Sequence, residues 1–171
     1  MPSVLLHSVV KVKQSERLVF AVHLSDDKVV FMSIDQAALA GDDYQVVVVN
    51  AEKFLNLWRA EPTEFHAIHA NGNPDVWPHS RKFPLANAGF SKGQADPVPL
   101  ADVSCDIAEN GSGYVFFTNG ITRTTWLLAH GCKEFPVLCP MPGAKILQQL
   151  AASGSYKMLS VKEAHHEFSA V

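Results

Sequence analysis

The chain is poor in charge: Asp, Glu, Lys and Arg make up 18% of its 171 residues, against about 25% in an ordinary globular domain. A surface so thin in charge often carries apolar or neutral patches that meet partners. The charge it has does not lean basic either. Fourteen Lys and Arg stand against seventeen Asp and Glu, a net charge of −3. That disfavours a bulk-basic nucleic-acid binder and leaves room for a local basic site. Cysteine is scarce, with three residues (Cys105, Cys132 and Cys139) that cannot all pair within one chain. No dense disulfide framework follows, and a reducing compartment is expected. No apolar run reaches the ~18 residues a membrane-spanning helix needs. The first twelve residues lack a basic start, a long apolar stretch and a small-residue cleavage site, so no signal peptide is expected. The predicted setting is the cytoplasm.

What is present is a substantial apolar fraction, 47% of the chain. That rules out a disordered tail. A chain of this size buries roughly two-thirds of the surface it exposes when unfolded. A single domain over residues 1–171 is expected, in three stretches: a β-rich part over 1–60, a Pro-rich loop region over 61–96 and a mixed region over 97–154.

The first stretch alternates β-branched runs with turn chemistry. Strands are predicted at Val4 to Val12, Arg17 to Leu24 and Lys28 to Ile34, with Ser25-Asp26-Asp27 as a hairpin turn. A short Ala-rich piece, Asp35 to Ala40, is stopped by Gly41. Gln45 to Asn50 holds four consecutive valines, the pattern of a strand buried on both faces. Asn50 reads as the N-cap of a helix from Ala51 to Ala60, with Phe54, Leu55, Leu57 and Trp58 on one broad apolar face. Residues 61 to 99 contain six of the ten prolines. Sparse regular structure is expected there, with Phe65, Trp77, Phe83 and Phe90 as apolar anchors. Beyond it the pattern predicts a strand at Val98 to Ile107, a Glu109-Asn110-Gly111 turn and a strand at Gly113 to Phe117. A helix from about Gly120 to His130, a strand at Phe135 to Cys139 and a helix from Pro142 to about Ala152 follow. The last seventeen or so residues read as polar and peripheral. Strand and helix alternating in this half predict a mixed α/β or α+β fold.

The segment with chemical content runs from Phe116 to Gly131. An apolar strand meets Asn119-Gly120, and a helix opens there. Unpaired backbone N–H groups at a helix start point outward, and the helix dipole adds roughly half a positive charge. Gly120 allows close approach of a ligand to the backbone. Thr122 and Thr124 offer hydroxyls, and Arg123 offers a planar cation matched to phosphate. Together, residues Asn119, Gly120, Ile121, Thr122, Arg123 and Thr124 form a candidate phosphate site. The competing reading makes Asn119 a plain N-cap and Arg123 a solvated surface residue.

The run Asn119-Gly120-Ile121-Thr122-Arg123, the apolar helix after it and the return through His130-Gly131-Cys132-Lys133-Glu134-Phe135-Pro136-Val137-Leu138 resemble the signature of the ParB/sulfiredoxin superfamily. Pro97-Val98-Pro99-Leu100-Ala101-Asp102-Val103 resembles that superfamily's earlier strand. The resemblance spans residues 97 to 139, about a quarter of the chain. It implies an α+β fold of ParB/sulfiredoxin type with an N-terminal β-rich elaboration. It also implies that Gly120 and Arg123 bind phosphate of a nucleotide or of nucleic acid. Two departures narrow it. Sulfiredoxins place a cysteine directly after the glycine, where this chain has Ile121, so sulfinic-acid repair is not expected. Chromosome-partitioning members carry further arginines where this chain has Thr124 and Thr125, and no separate helix-turn-helix domain fits after residue 139. A stand-alone chain of this size resembles the plasmid fertility-inhibition proteins of the Osa type. That resemblance implies a block on export of DNA or protein through type IV secretion, with ATPase and DNase activity and with ATP and Mg²⁺ as cofactors.

Such chemistry needs a general base or a Mg²⁺ ligand. The carboxylates near the turn are Asp102, Asp106, Glu109 and Glu134. Glu134 sits at the far end of the helix from Gly120, and Asp102 is taken with Arg123 as the catalytic pair. Each acid has an ordinary alternative as a solvated or capping group. Arg81, Lys82 and Lys92 form a candidate DNA-binding edge, with a solvated loop as the alternative. His66 and His69, with His79, have no fourth ligand at zinc spacing, so no metal centre is expected. His165 and His166 are read as exposed. The cysteines are read as buried core residues. Trp126, Leu127 and Leu128 are read as core, and Trp58, Trp77 and Phe90 as core or loop anchors before base-stacking platforms. The expected partners are DNA and a nucleotide, with a type IV secretion component or its substrate protein as a further candidate. Two functions stay open: a phosphate-binding enzyme acting on DNA, and a non-enzymatic protein that blocks a secretion coupling protein.

Overall fold

The computed structural model describes residues 4–12, 15–35, 43–62, 77–78, 81–154 and 156–164. The fold is α+β, as expected, and is built on two sheets. The first sheet runs β1 (Val4–Val12), β2 (Ser15–His23), β3 (Val29–Asp35) and a two-residue strand, β5 (Val98–Pro99). β1, β2 and β3 form an antiparallel meander, and β5 adds to β3 in parallel, Met32 opposite Val98. The expected turn between β2 and β3 is present. Asp26 accepts the Lys28 N–H, and Asp27 takes the left-handed conformation at φ 63°.

The second sheet has the order β7-β6-β8-β4-β9. Its strands are β4 (Tyr44–Asn50), β6 (Ala101–Ile107), β7 (Gly113–Asn119), β8 (Glu134–Pro140) and β9 (Leu159–Ser160). The valine run of β4 is buried throughout, from Val46 to Val49. β4 pairs antiparallel with β8 on one side and β9 on the other, which explains the continuous apolar pattern. β6 pairs antiparallel with β7 and parallel with β8. The β6–β7 hairpin turns through Gly111 at φ 85°, with Asn110 accepting the Ser112 N–H.

The sheets are joined by helices α1 (Ala51–Arg59), α2 (Phe83–Ser91), α3 (Ile121–Ala129) and α4 (Gly143–Ala151), with a 3-10 turn at Gly93–Ala95 and a helical stretch at 161–164. Asn50 caps α1 as expected, its Oδ1 accepting the Lys53 N–H at 3.0 Å. Phe54 and Trp58 of α1 pack edge-on against Phe117, and Phe54 also against Phe135. α4 lies close enough to the second sheet that a Cβ on Gly143 would sit 2.4 Å from the Cys105 carbonyl oxygen. One continuous apolar cluster joins residues of both sheets and of α1, α2, α3 and α4.

Four expectations are corrected. In the described end of the Pro-rich region, residues 81–96, regular structure is not sparse, because α2 forms inside it. Pro84 falls in the helix's first turn, where a missing N–H costs nothing. The strand expected over Val98 to Ile107 is two strands in different sheets, and the chain crosses between them at Leu100. The N-cap of α3 is Gly120, not Asn119. The C-terminal stretch is not peripheral through residue 164, since β9 pairs with β4 and Val161 and Ala164 are buried. The Ala-rich piece beyond Asp35 (residues 36–40), Phe65, His66, His69, His79, His165 and His166 lie outside the described residues.

Candidate functional site

Gly120 ends β7 and starts α3 in a left-handed conformation, φ 107° and ψ 15°. Few other residues adopt this backbone without strain. Space enforces the same choice, since a Cβ here would lie 2.6 Å from Ala101 Cβ and 2.8 Å from its Cα. The Gly120 carbonyl accepts both the N–H of Thr124 at 3.0 Å and its hydroxyl at 2.9 Å. Thr124 is buried. Its side chain therefore closes the turn and offers no hydroxyl to a ligand, which corrects its place in the expected phosphate set. The backbone N–H groups of Ile121, Thr122 and Arg123 precede the first intrahelical bond, and no side chain caps them. They keep the donor character of an open helix start.

Arg123 is half-buried. Its Nη2 donates to the Leu100 carbonyl at 3.4 Å. Its Nε is buried with no hydrogen-bond partner. Burial pulls the guanidinium down from its ordinary value, yet it remains a cation at neutral pH. A buried donor without an acceptor is costly.

Two neighbouring cavities adjoin the turn and Arg123. One, of about 300 Å³, follows the turn and is lined by Phe117 through Arg123 with Lys82. The other, of about 310 Å³, lies between α2 and β5. Leu85, Ala86, Gly89, Pro97 and Val98 supply much of its wall. Lys82, Thr122 and Arg123 line both. Lys92 lines the second and pairs with Asp96 at 3.5 Å.

The structure thus brings Asn119, Gly120, Ile121, Thr122 and Arg123 together with two of the three basic residues singled out, Lys82 and Lys92. Arg81 is exposed and lines neither cavity. Asp102 also lines neither. It lies on β6 opposite Asn119, at a bulge, and its Oδ2 accepts the Tyr44 hydroxyl at 3.3 Å. Its Oδ1 is buried without a partner. Burial raises the Asp102 carboxyl above its ordinary value, against the lowering effect of the Tyr44 hydroxyl. Neither cavity thus has both Asp102 and Arg123 in its wall. Glu134 is buried and accepts the Ser153 hydroxyl, while Asp106 and Glu109 are outside both cavities. Among the described residues no three His, Cys, Asp or Glu gather as a metal set.

The aromatic residues weighed for base stacking are core. Trp58, Trp77 and Phe90 are all buried, and Phe90 stacks on Trp126 at 4.1 Å. The three cysteines are free and buried, as expected. Burial pushes the Cys105 thiol up to about 11 and those of Cys132 and Cys139 up to about 12, so none is a reactive thiolate.

Sequence reasoning missed the group that holds the cavity wall. Arg17 reaches from β2 to Asp96 at 3.7 Å and to the Pro97 carbonyl at 3.5 Å. The Ser33 hydroxyl donates to the same carbonyl at 3.3 Å. Arg17 and Pro97 are 80 positions apart, so no local pattern joins them. The α2 part of that wall, Leu85, Ala86 and Gly89, was hidden with its helix.

These features define a two-sheet α+β protein with a basic cleft at a strand-to-helix glycine turn. The chain belongs to the plasmid fertility inhibition factor family, whose model matches residues 46–152. It is similar to the protein osa of Shigella flexneri, 41% identical over 108 residues. That match covers 63% of this chain and 54% of the relative, so the alignment spans about half the relative's length. The fold is similar to a crystal structure of the Oncogenic Suppression Activity protein, a plasmid fertility inhibition factor, solved as a gold(I) cyanide derivative. The TM-score is 0.79 at 29% identity, over 96% of this chain and 83% of that one. Among the described residues no helix is long and apolar enough to cross a membrane.

Proposed function

We propose that this protein inhibits conjugative, type IV secretion transfer of DNA from the cytoplasm of the donor cell, and does so by binding phosphate at the Gly120–Arg123 turn. The observation that carries the reading is the Arg123 guanidinium lining the cavity at the turn beside the uncapped N–H groups of Ile121 and Thr122. Lys82 extends the positive field along the cleft. The phosphate belongs to a nucleotide or to DNA. The relation to the ParB/sulfiredoxin superfamily is part of the proposal, supported by the order strand, Gly-x-x-Arg turn, helix and strand.

ATP hydrolysis or DNA cleavage is the finer part. The turn fits the phosphates of ATP. The described residues do not gather a carboxylate set for Mg²⁺, and Asp102 is turned to Tyr44. Binding and charge stabilisation by Arg123 are what the chain's own groups supply. Arg123→Ala should weaken ATP and DNA binding by about 10- to 100-fold, the range for a hydrogen bond to a charged group. Isothermal titration, with ATP and DNA turnover assayed in Mg²⁺ beside the wild type, measures it. Unchanged affinity and unchanged turnover would overturn the reading.

A second reading, a non-enzymatic block on a secretion coupling protein, rests on an apolar surface patch. Ile107 and Leu150 are 46% and 40% exposed, and both meet at Gly113. If that surface is the effector, Ile107→Asp abolishes transfer inhibition in a mating assay while Arg123→Ala keeps it. The reverse pattern rejects it.

A further inference from the structure

α2 has no charged side chain over its whole length. Phe83, Ala86 and Phe90 are buried, while Pro84, Leu85, Asn87, Ala88 and Ser91 are exposed. A helix that meets water normally carries charge on its outer side. Here the outer side is apolar or neutral. Pro84, Leu85 and Ala88 fall within about 100° of arc at 3.6 residues per turn, so they form one stripe. Leu85 is 72% exposed, more than any other large apolar side chain among the described residues. Pro84 and Ala88 line neither cavity, so the stripe faces solvent and not the cleft.

Cations close both ends of the stripe. Arg81 stands one helical turn before Leu85, Lys92 stands one turn after Ala88, and both are exposed. Residues 81–95 contain Arg81, Lys82 and Lys92 and no acid, in a chain whose net charge is −3. The next acid, Asp96, is already held by Arg17 at 3.7 Å and by Lys92 at 3.5 Å. Arg81 and Lys92 bracket a span of about 16 Å along a helix axis. We infer that this outer face of α2 docks an acidic amphipathic segment of a partner protein. Its apolar side chains cover Pro84, Leu85 and Ala88, and its carboxylates meet Arg81 and Lys92. A nucleic acid fits less well. Its phosphates follow one another too closely for two cations with only apolar groups between them. A second copy of this chain fits less well too, because α2 against α2 sets like charges together. The inference depends neither on phosphate binding at Gly120 nor on the Ile107 patch.

Ala88 is exposed at the middle of the stripe. Ala88→Glu and Ala88→Lys put two good helix formers of opposite sign at the same point. With the full chain in donor cells, Ala88→Glu should raise DNA transfer at least about tenfold over the wild type in a mating assay, and Ala88→Lys should inhibit as the wild type does. Equal transfer with the two variants overturns the inference. A short DNA duplex titrated at about 0.15 M salt should bind both variants alike. DNA affinity lost in Ala88→Glu alone makes nucleic acid the occupant and overturns it as well. Photo-cross-linking from Leu85→p-benzoylphenylalanine in the same cells reads the contact directly. The adduct should carry a partner peptide with Asp or Glu residues, and adding Arg81→Glu and Lys92→Glu should reduce it at least about fivefold. No adduct, an adduct with DNA or with a second copy of this chain, or an adduct that survives the charge reversal overturns the inference. This readout does not require that the chain inhibit transfer, so failure of the transfer reading is told apart from failure of the docking face.

Discussion

Asp102 shows how far one side chain can depart from its sequence role. Near a phosphate turn it reads as a catalytic acid, but one oxygen accepts the Tyr44 hydroxyl and the other is buried without a partner. Because burial raises its folded-state value above the ordinary 3.8, the folded chain prefers the protonated form. That preference favours folding at pH below the unfolded value. It is lost as pH rises through the folded value. At neutral pH the charged carboxylate therefore opposes folding, so Asp102→Asn should raise the melting temperature at pH 7. The gain should shrink as pH falls toward 4. Thermal melts of both proteins across that range check it. A gain that grows on acidification would show that the carboxylate is stabilised in the fold.

α2 marks the limit of legibility at the scale of elements. The strands declare themselves by β-branched runs, and α1 by Asn50 and its apolar face. α3 declares itself by Gly120 before a polar turn and an apolar helix. Each of those signals is local. α2 carries Pro84, Gly89 and no acidic first turn, so by propensity alone it reads as loop. Tertiary packing makes it a helix: Phe83, Ala86 and Phe90 are buried, and Trp126 Nε1 donates to Asn87 at 2.9 Å. Phe90→Ala removes the ring stacked on Trp126 and should cost about 3–5 kcal/mol, the usual range for a buried Phe. Urea unfolding measures that. A cost below 1 kcal/mol would mean that the α2–α3 contact does not hold the helix. The turn at Gly120 was legible for the same reason that α1 was, while the cavity wall beside it depends on a helix that propensity does not reveal.

At the scale of the molecule, the N-terminal sheet is a support for the site and not an accessory. The family match begins at residue 46, after β1, β2 and β3 have ended. Yet Met32 and Ser33 of β3 hold β5, Arg17 and Ser33 hold the Pro97 carbonyl, and Leu100 donates its N–H to Ser33 at 2.9 Å. A fragment of residues 46–152 would leave Val98 and Leu100 without their cover and Asp96 without Arg17. It would also lose β9 from the edge of β4. It should show no cooperative thermal transition by circular dichroism, whereas residues 1–171 should show one. A sharp transition in the fragment would make the N-terminal sheet dispensable.

The single residue between β5 and β6 gives Leu100 a further standing. Its N–H is tied to one sheet, and its carbonyl receives Arg123 from the other side of the seam. It is a pivot with no slack. A tilt of one sheet against the other would move the carbonyl that Arg123 holds, so the seam between the sheets and the cleft share one acceptor.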